Sequence, residues 1–254
     1  MKFTPRCEQM AAFLDERQFS TVEELQRRFG VSDMTIRRDL AALARAGRVI
    51  RTHGGASAAP KISFEFAFLR RQQTAEVAKQ AIGRAAANLV QDGQSVLLDS
   101  GTTTLAVATA LKARRNLTVI TTSLPVASAL QFCPTIRVLL LGGFVRADSP
   151  DLSGAVTESN LEQLHADVAI VGADGVDDRG RVYHAAPEVA RLVGKMAAAA
   201  ARVYVVADSS KLGRKALARS GDLTKWDGLV TELPVPGLKR AGVNVVVAGK
   251  TEET

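Results

Sequence analysis

Cysteine, tryptophan and histidine are scarce in this chain: two, one and three among 254 residues. Cys7 and Cys133 have no Cys-x-x-Cys spacing, so neither a disulfide framework nor a zinc ribbon is available, and free thiols in a reducing compartment are expected. His53, His165 and His184 share no ligand spacing with a cysteine, so no metal site is expected. Long apolar runs are missing too. The longest uncharged stretch, residues 116–136, is interrupted by Thr118, Thr121, Thr122, Ser123 and Pro125 and reads as strand, turn and helix rather than a membrane span. The first ten residues, MKFTPRCEQM, lack the apolar run of a secretory signal. These absences predict a soluble, cytoplasmic protein with no membrane partner.

The remaining composition is that of a folded chain, 46% hydrophobic and 23% charged, long enough for one small and one larger domain. Thirty-three basic against 26 acidic side chains leave a net charge of +7. That surplus fits a polyanionic partner without establishing one. Residues 1–60 carry 10 basic and 7 acidic side chains, which makes this short segment the more basic per residue.

Within it, Ser20-Thr21-Val22-Glu23 has the spacing of a capping box between Ser20 and Glu23. Val22, Leu25 and Phe29 follow at helical spacing, and Gly30 ends that helix. Ser32 is a good N-cap for a second helix with Ile36, Leu40 and Leu43 on its buried stripe. Two short helices joined by a tight turn form a helix-turn-helix, and an earlier helix over about residues 5–16 supplies Met10, Phe13 and Leu14 to its core. The polar face of the second helix offers Asp33, Met34, Thr35, Arg37 and Arg38 near the end that enters a major groove. Successive helix positions differ by about 100°, so one of Arg37 and Arg38 is expected to read a guanine and the other to clamp phosphate, with Thr35 able to serve either purpose. The run from Gly47 to Gly55 alternates and closes on two glycines, as a β-wing does, placing Arg51 and His53 toward backbone or minor groove. A solvated charged face is the plain alternative; the tight turn, tip arginines and basic wing together favour a DNA-binding surface.

The segment VSDMTIRRDLAALARAGRVIRTHGGA, residues 31–56, resembles the signature of DeoR-family bacterial regulators. The resemblance implies that the second helix and the wing bind operator DNA, with Ser32, Met34, Thr35, Arg37, Arg38, Arg51 and His53 as the contact set. Asp39 is assigned to a structural ion pair instead.

Ser57-Ala58-Ala59-Pro60 is small, uncharged and ends in proline, which sets the expected division: a winged helix-turn-helix domain over residues 1–57, a linker over 58–73 and a second domain over 74–254. Phe64, Phe66 and Phe68 alternate in the linker and are read as an interdomain or dimer contact. Beyond residue 74 helix and strand alternate. Apolar strands are predicted at 95–98, 117–120, 136–141, 168–171, 203–207 and 243–247, with helices at 76–89 and 187–200 among those between. Such alternation means an α/β domain with a Rossmann-like parallel sheet.

A polar or glycine-rich cluster follows each of five strands, at the edge where open α/β sheets place ligands. The clusters contain Asp99, Ser100, Gly101, Thr102, Thr103 and Thr104; Thr122 and Ser123; Gly142 and Gly143; Asp174; and Asp208 with Lys211. A Gly/Thr-rich turn entering a helix presents amides and a positive dipole to an anion, and Lys211 adds a mobile charge. A phosphorylated small molecule is the simplest ligand, though Asp174 and Asp208 as caps and Lys211 as a surface residue stand as alternatives. No cofactor is expected. Gly249-Lys250-Thr251 superficially matches a P-loop, but the preceding glycine, Gly242, lies six rather than four residues away.

These segments are similar to the DeoR-family sensor domain, and that domain is similar to ribose-phosphate isomerases, which hold a sugar phosphate in an equivalent loop. Where the isomerases have Asp-Gly-Ala-Asp, this chain has Val171-Gly172-Ala173-Asp174, and the lysine a few residues on has no counterpart in Arg181-Val182-Tyr183-His184. Proton shuttling needs a placed base, so the resemblance implies binding without isomerisation. Relative to the sensor family, Thr122 replaces the usual Asn and Glu232 the usual Asp after Thr231. The reading that results is a regulator, most often a repressor in this family, of sugar or amino-sugar catabolism. It would be released from double-stranded operator DNA by a phosphorylated sugar and act as a homo-dimer or tetramer. A phosphosugar-processing enzyme with an appended interaction domain is the alternative.

Overall fold

Thr4 begins the first helix: its hydroxyl accepts the Cys7 amide at 3.3 Å, and Pro5 at the first helical position needs no partner for its nitrogen. The computed structural model describes residues 3–45, 48–58 and 68–249. Two units divide the chain, Met1–Arg70 with Ala147–Ser149 and Arg71–Arg146 with Pro150–Thr254.

The first unit runs α1 (Pro5–Arg17), β1 (Phe19–Thr21), α2 (Val22–Phe29), α3 (Asp33–Arg45), β2 (Val49–Arg51) and β3 (Gly55–Ala58). The strands form an antiparallel sheet in the order β1-β3-β2, so the expected wing is a hairpin extended by the strand preceding α2. That extra strand moves the capping box by one residue. Ser20 lies inside β1, buried opposite Ala56, and the box is Thr21–Glu24: the Thr21 hydroxyl accepts the Glu24 amide, and the Glu24 carboxylate accepts the Thr21 amide, both at 3.2 Å. Ser20 instead donates to Glu24 at 2.7 Å. Met10, Leu14, Leu25, Ile36, Leu40 and Leu43 interlock beneath the sheet. β3 runs through Ser57 and Ala58, so ordered strand reaches the start of the expected linker. Phe68 is buried; Phe64, Phe66, Gly47, Lys250 and Thr251 lie outside the described residues.

The second unit contains α4 (Glu76–Ala87), β4 (Ser95–Leu98), α5 (Thr102–Leu111), β5 (Leu117–Thr121), α6 (Leu124–Leu130) and β6 (Ile136–Leu140). A short pair, β7 (Phe144–Val145) and β8 (Leu152–Ser153), precedes α7 (Ala155–Glu162) and β9 (Ala166–Val171). Then come β10 (Gly175–Val176), β11 (Arg181–His184), α8 (Pro187–Ala198), β12 (Ala200–Val206), a 3₁₀ turn (Ser209–Lys211), β13 (Ala218–Asp222), β14 (Gly228–Thr231), α9 (Pro236–Arg240) and β15 (Val245–Val247).

Seven strands form one parallel sheet in the order β15-β14-β12-β9-β4-β5-β6. Alternate residues point to opposite faces, as the pleat requires. Val96, Leu98, Val168 and Ile170 pack with Ile82, Val107, Leu111 and Leu130 of α4, α5 and α6. Leu97, Ala169, Val171 and Val205 pack with Leu161, Leu192, Met196 and Leu238 of α7, α8 and α9. Helices therefore cover both faces, in accord with the predicted Rossmann-like class. The six predicted strands are present with ends shifted by a few residues. β14 was not among them: it is four residues long, starts on glycine, and its strand character comes from its position between β12 and β15. A separate antiparallel sheet, β10-β11-β13, carries His184.

Leu25 is wholly buried in the smaller core. Leu25→Ala is expected to lower stability by about 2–5 kcal/mol through lost transfer energy and an unfilled cavity. Urea titration checks this, and a loss below about 1 kcal/mol would contradict the packing described.

Candidate functional site

The two faces of α3 differ sharply. Ile36, Leu40 and Leu43 are buried, whereas Arg37 and Arg38 are exposed and Met34 is 81% exposed. At the helix start the Ser32 hydroxyl accepts the Thr35 amide at 3.4 Å and lies 3.0 Å from the Thr35 hydroxyl. Arg37 donates through Nε to Asp33, one turn earlier, and both side chains stay half exposed. This ion pair sets the two tip arginines apart: Arg37 is oriented by a carboxylate, while Arg38 has no hydrogen bond or ion pair among the described residues. Arg51 and His53 are exposed on the β2–β3 wing, where the Thr52 amide donates to the Gly55 carbonyl at 3.0 Å. Asp39 is buried and accepts from Arg6 Nε at 2.7 Å, locking α3 to α1, the structural ion pair the sequence suggested.

In the second unit the chain lays down β4, β5 and β6 toward one edge, then returns with β9 beside β4 and proceeds to the other edge. The crevice outside the carboxyl ends of β4 and β9 is thus the topological switch point, the place where such sheets hold ligands. Asp99 and Gly172 meet there. The fully buried Asp99 carboxylate accepts the Gly172 amide at 3.0 Å, and the Asp99 amide donates to the Ile170 carbonyl at 3.1 Å.

The loop after β4 then turns through Gly101, whose φ of +136° disfavours any side chain, into α5. No side chain caps that helix and no acid lies in its first turn, so its leading amides stay available to an anion. Thr104 is committed internally, donating to the Gly101 carbonyl at 3.0 Å.

Lysine joins this end from two directions. Lys211 sits on the 3₁₀ turn after β12, which Asp208 caps by accepting the Ser210 amide at 3.1 Å. Glu232, following β14, accepts the Ser209 amide at 3.0 Å with each carboxylate oxygen and so fixes the turn that carries Lys211. Lys79 of α4 was not recognised in the sequence. Its ammonium donates to the carbonyls of Thr74, at 2.7 Å, and Arg71. Burial lowers its pKa first, Lys211 and Arg71 lower it further, and Asp208 opposes them. Lys79 and Thr102 both line a groove of about 270 Å³ between α4 and α5. The sequence signal was a lysine three and seven positions before the buried Ile82 and Ala86, on the apolar stripe of its helix.

A second group lies deeper. Ser100 donates to Asp151 at 3.0 Å; Asp151 also faces Arg146 at 3.8 Å and pairs through its backbone with Ser123. The Leu152 amide donates to the Thr122 carbonyl at 2.9 Å. Asp174 accepts the Ala185 amide at 2.9 Å and lies 4.0 Å from His184 Nδ1. Asp99, Ser100, Thr122, Ser123 and Asp174 are therefore brought into one neighbourhood, together with Asp151, Arg146 and His184, which sequence reasoning did not assign. At the loop after β6, Thr157 donates to the Gly142 carbonyl at 2.7 Å, and a Cβ on Gly143 would strike Thr157 and lie 2.7 Å from the Ser153 carbonyl. Among the described residues no group of three His, Cys, Asp or Glu side chains is arranged to hold a metal ion.

Burial drives the Asp99 pKa up to about 7; the Gly172 and Ser100 amides pull it down, while Asp151 and Asp174 push it up. Burial also lowers the pKa of His184, with Asp174 opposing and Arg146 assisting. A carboxyl raised on folding makes the folded state bind the extra proton between its two pKa values, so stability falls as pH rises from about 4 to about 7 and levels off above. Wild-type stability relative to Asp99→Asn should accordingly drop by on the order of 4 kcal/mol across that window. Urea midpoints at pH 5 and pH 7.5 test this; a pH-independent difference would show that Asp99 is not held protonated.

Residues 6–61 match the DeoR-like helix-turn-helix domain model, and residues 74–233 match the DeoR C-terminal sensor domain model. The glycerol-3-phosphate regulon repressor of Escherichia coli K12 is 33% identical, over 93% of this chain and 93% of that protein. The HTH-type transcriptional repressor GlcR of Bacillus subtilis 168 is 34% identical, over 94% of each. Among solved structures, ribose 5-phosphate isomerase A from Methanocaldococcus jannaschii aligns with a TM-score of 0.41 and 20% identity, over 54% of this chain and 55% of that one. Both curated relatives are named as transcriptional repressors. With both domain models matched in order and full-length relatives above 30% identity, the chain belongs to the DeoR family of DNA-binding transcriptional regulators.

Proposed function

We propose that this regulator is a cytoplasmic repressor of a sugar or amino-sugar catabolic operon, released from its operator when a phosphorylated sugar fills the crevice at the β4–β9 switch point. Residues 1–57 serve as the DNA-binding domain, 58–73 as linker and 74–254 as sensor. The observation that carries the effector assignment is the amino end of α5, which no side chain caps, with Lys79 lining the same groove as Thr102 and within charge range of Lys211: leading amides, a positive helix end and positive charge close by favour a phosphate. The names of the relatives, a glycerol-3-phosphate regulon repressor among them, support control of phosphorylated-carbon metabolism.

A homo-dimer or tetramer follows from the reading mode, since two recognition helices must match half-sites one helical turn apart. The effector favours a conformation in which that spacing is lost. A near-complete switch requires it to distinguish the two states by on the order of 5 kcal/mol.

Arg37, steered by Asp33, is assigned to a guanine edge, and Arg38 to phosphate. Arg37→Ala should cost about 1–3 kcal/mol on operator DNA and little on random DNA. Arg38→Ala should weaken both alike and flatten the salt dependence. Fluorescence anisotropy with both DNAs decides; equal losses for Arg37→Ala would make it a phosphate contact. On the effector side, Lys211→Ala should leave operator affinity intact and raise the phosphosugar concentration needed for half-release about tenfold or more. An unchanged release curve would remove Lys211 from the site.

A further inference from the structure

Beyond the phosphate end, the crevice holds three buried polar atoms without a hydrogen-bond partner among the described residues: Asp151 Oδ1, Thr122 Oγ1 and His184 Nε2. Asp151 is 2% exposed, Thr122 wholly buried and His184 4% exposed. They belong to one neighbourhood. The strand segment around Thr122 and Ser123 pairs with Asp151 and Leu152, and Arg146 faces the Asp151 carboxylate while acting electrostatically on His184.

Each of the three can accept a hydrogen bond. Asp151 already uses Oδ2 for Ser100 and Arg146, leaving Oδ1. His184, whose pKa burial lowers, has Nδ1 4.0 Å from Asp174; a neutral ring with its proton on that side has Nε2 as a bare acceptor. Thr122 Oγ1 has lone pairs to offer. Two further carboxylates, Asp151 and Asp174, face this end against the single guanidinium of Arg146, beside an Asp99 that burial holds largely protonated. Buried polar atoms and unbalanced charge of this kind are tolerated where a ligand completes them.

We infer that this inner end takes an ammonium group, so that the effector is an aminated phosphosugar; the inference rests on the phosphosugar reading above. An ammonium supplies three donors and the missing positive charge at once, whereas a hydroxyl supplies one donor and no charge. A carboxylate or a second phosphate would meet like charge. An N-acetylated amine keeps one N–H, loses the charge and adds bulk. The crevice thus has complementary ends: amides and lysines for the phosphate, carboxylates and an imidazole for the amine.

The test is isothermal titration calorimetry on the full-length protein at pH 7. The probes are hexose 6-phosphates of gluco, galacto and manno configuration, each with its 2-amino-2-deoxy and N-acetyl counterparts. For at least one configuration the free amine should bind roughly tenfold or more tightly than both partners. Asp151→Asn and Thr122→Val should each shrink that ratio toward one; circular dichroism confirms that they fold, and if only one does, that one decides. If amine and parent sugar bind equally, or the N-acetyl form matches the amine, the ammonium inference is overturned and the phosphosugar reading stands. If no phosphosugar binds, both fall.

Discussion

The Gly172 amide reaching the buried Asp99 carboxylate joins the ends of the two strands between which the sheet reverses its order. Its consequences spread outward. With the two strand ends fixed, the loop after β4 turns through Gly101 and starts α5 with its amides uncapped. Ser100, next in the chain, reaches Asp151 and so draws the segment before β8 over the crevice. The same burial raises the cost of charge on Asp99, which is why this carboxyl departs so far from its usual range. A structural tie and an electrostatic signature come from one residue.

Charge is divided around that tie. On the α5 side lie Lys79 and Lys211, one held by carbonyls of its own segment and the other by a turn clamped between Asp208 and Glu232. On the β8–β11 side lie Asp151, Asp174 and His184. A ligand with a negative end and a donor-rich end has only one favourable orientation there, and orientation lets a small molecule favour one conformation over another. The winged unit is built on a different constraint. Arg6 holds Asp39 from beneath α3, and Asp33 holds Arg37 on its outer face, so one helix is anchored on one side and presented on the other.

Much of this was legible from periodicity and from the polar residues that succeed each apolar run. The helix-turn-helix, its buried stripe and the strand-end clusters could be read because they depend on local spacing. The capping box was displaced because Ser20-x-x-Glu23 and Thr21-x-x-Glu24 both fit the pattern. Only the pairing of Ser20 with Ala56, 36 residues on, selects between them. β14 was missed for a similar reason, since Gly228–Thr231 becomes a strand through neighbours on both sides. Asp151 and His184 gave no signal at all: they come from separate segments and meet Asp99 and Asp174 only once the sheet has formed. Glycine after a strand has two uses, and at Gly143 the close approach of Ser153 and Thr157 leaves no room for a side chain.

Effector sensing, in this reading, depends on an anion being received by the leading amides of α5, between the lysines. Hydrogen–deuterium exchange on the full-length protein, with and without saturating phosphosugar, addresses it directly. Protection should rise at the amides of Thr102 and Thr103 and in the turn carrying Lys211. Ligand-induced protection elsewhere, with those amides unchanged, would contradict the assignment.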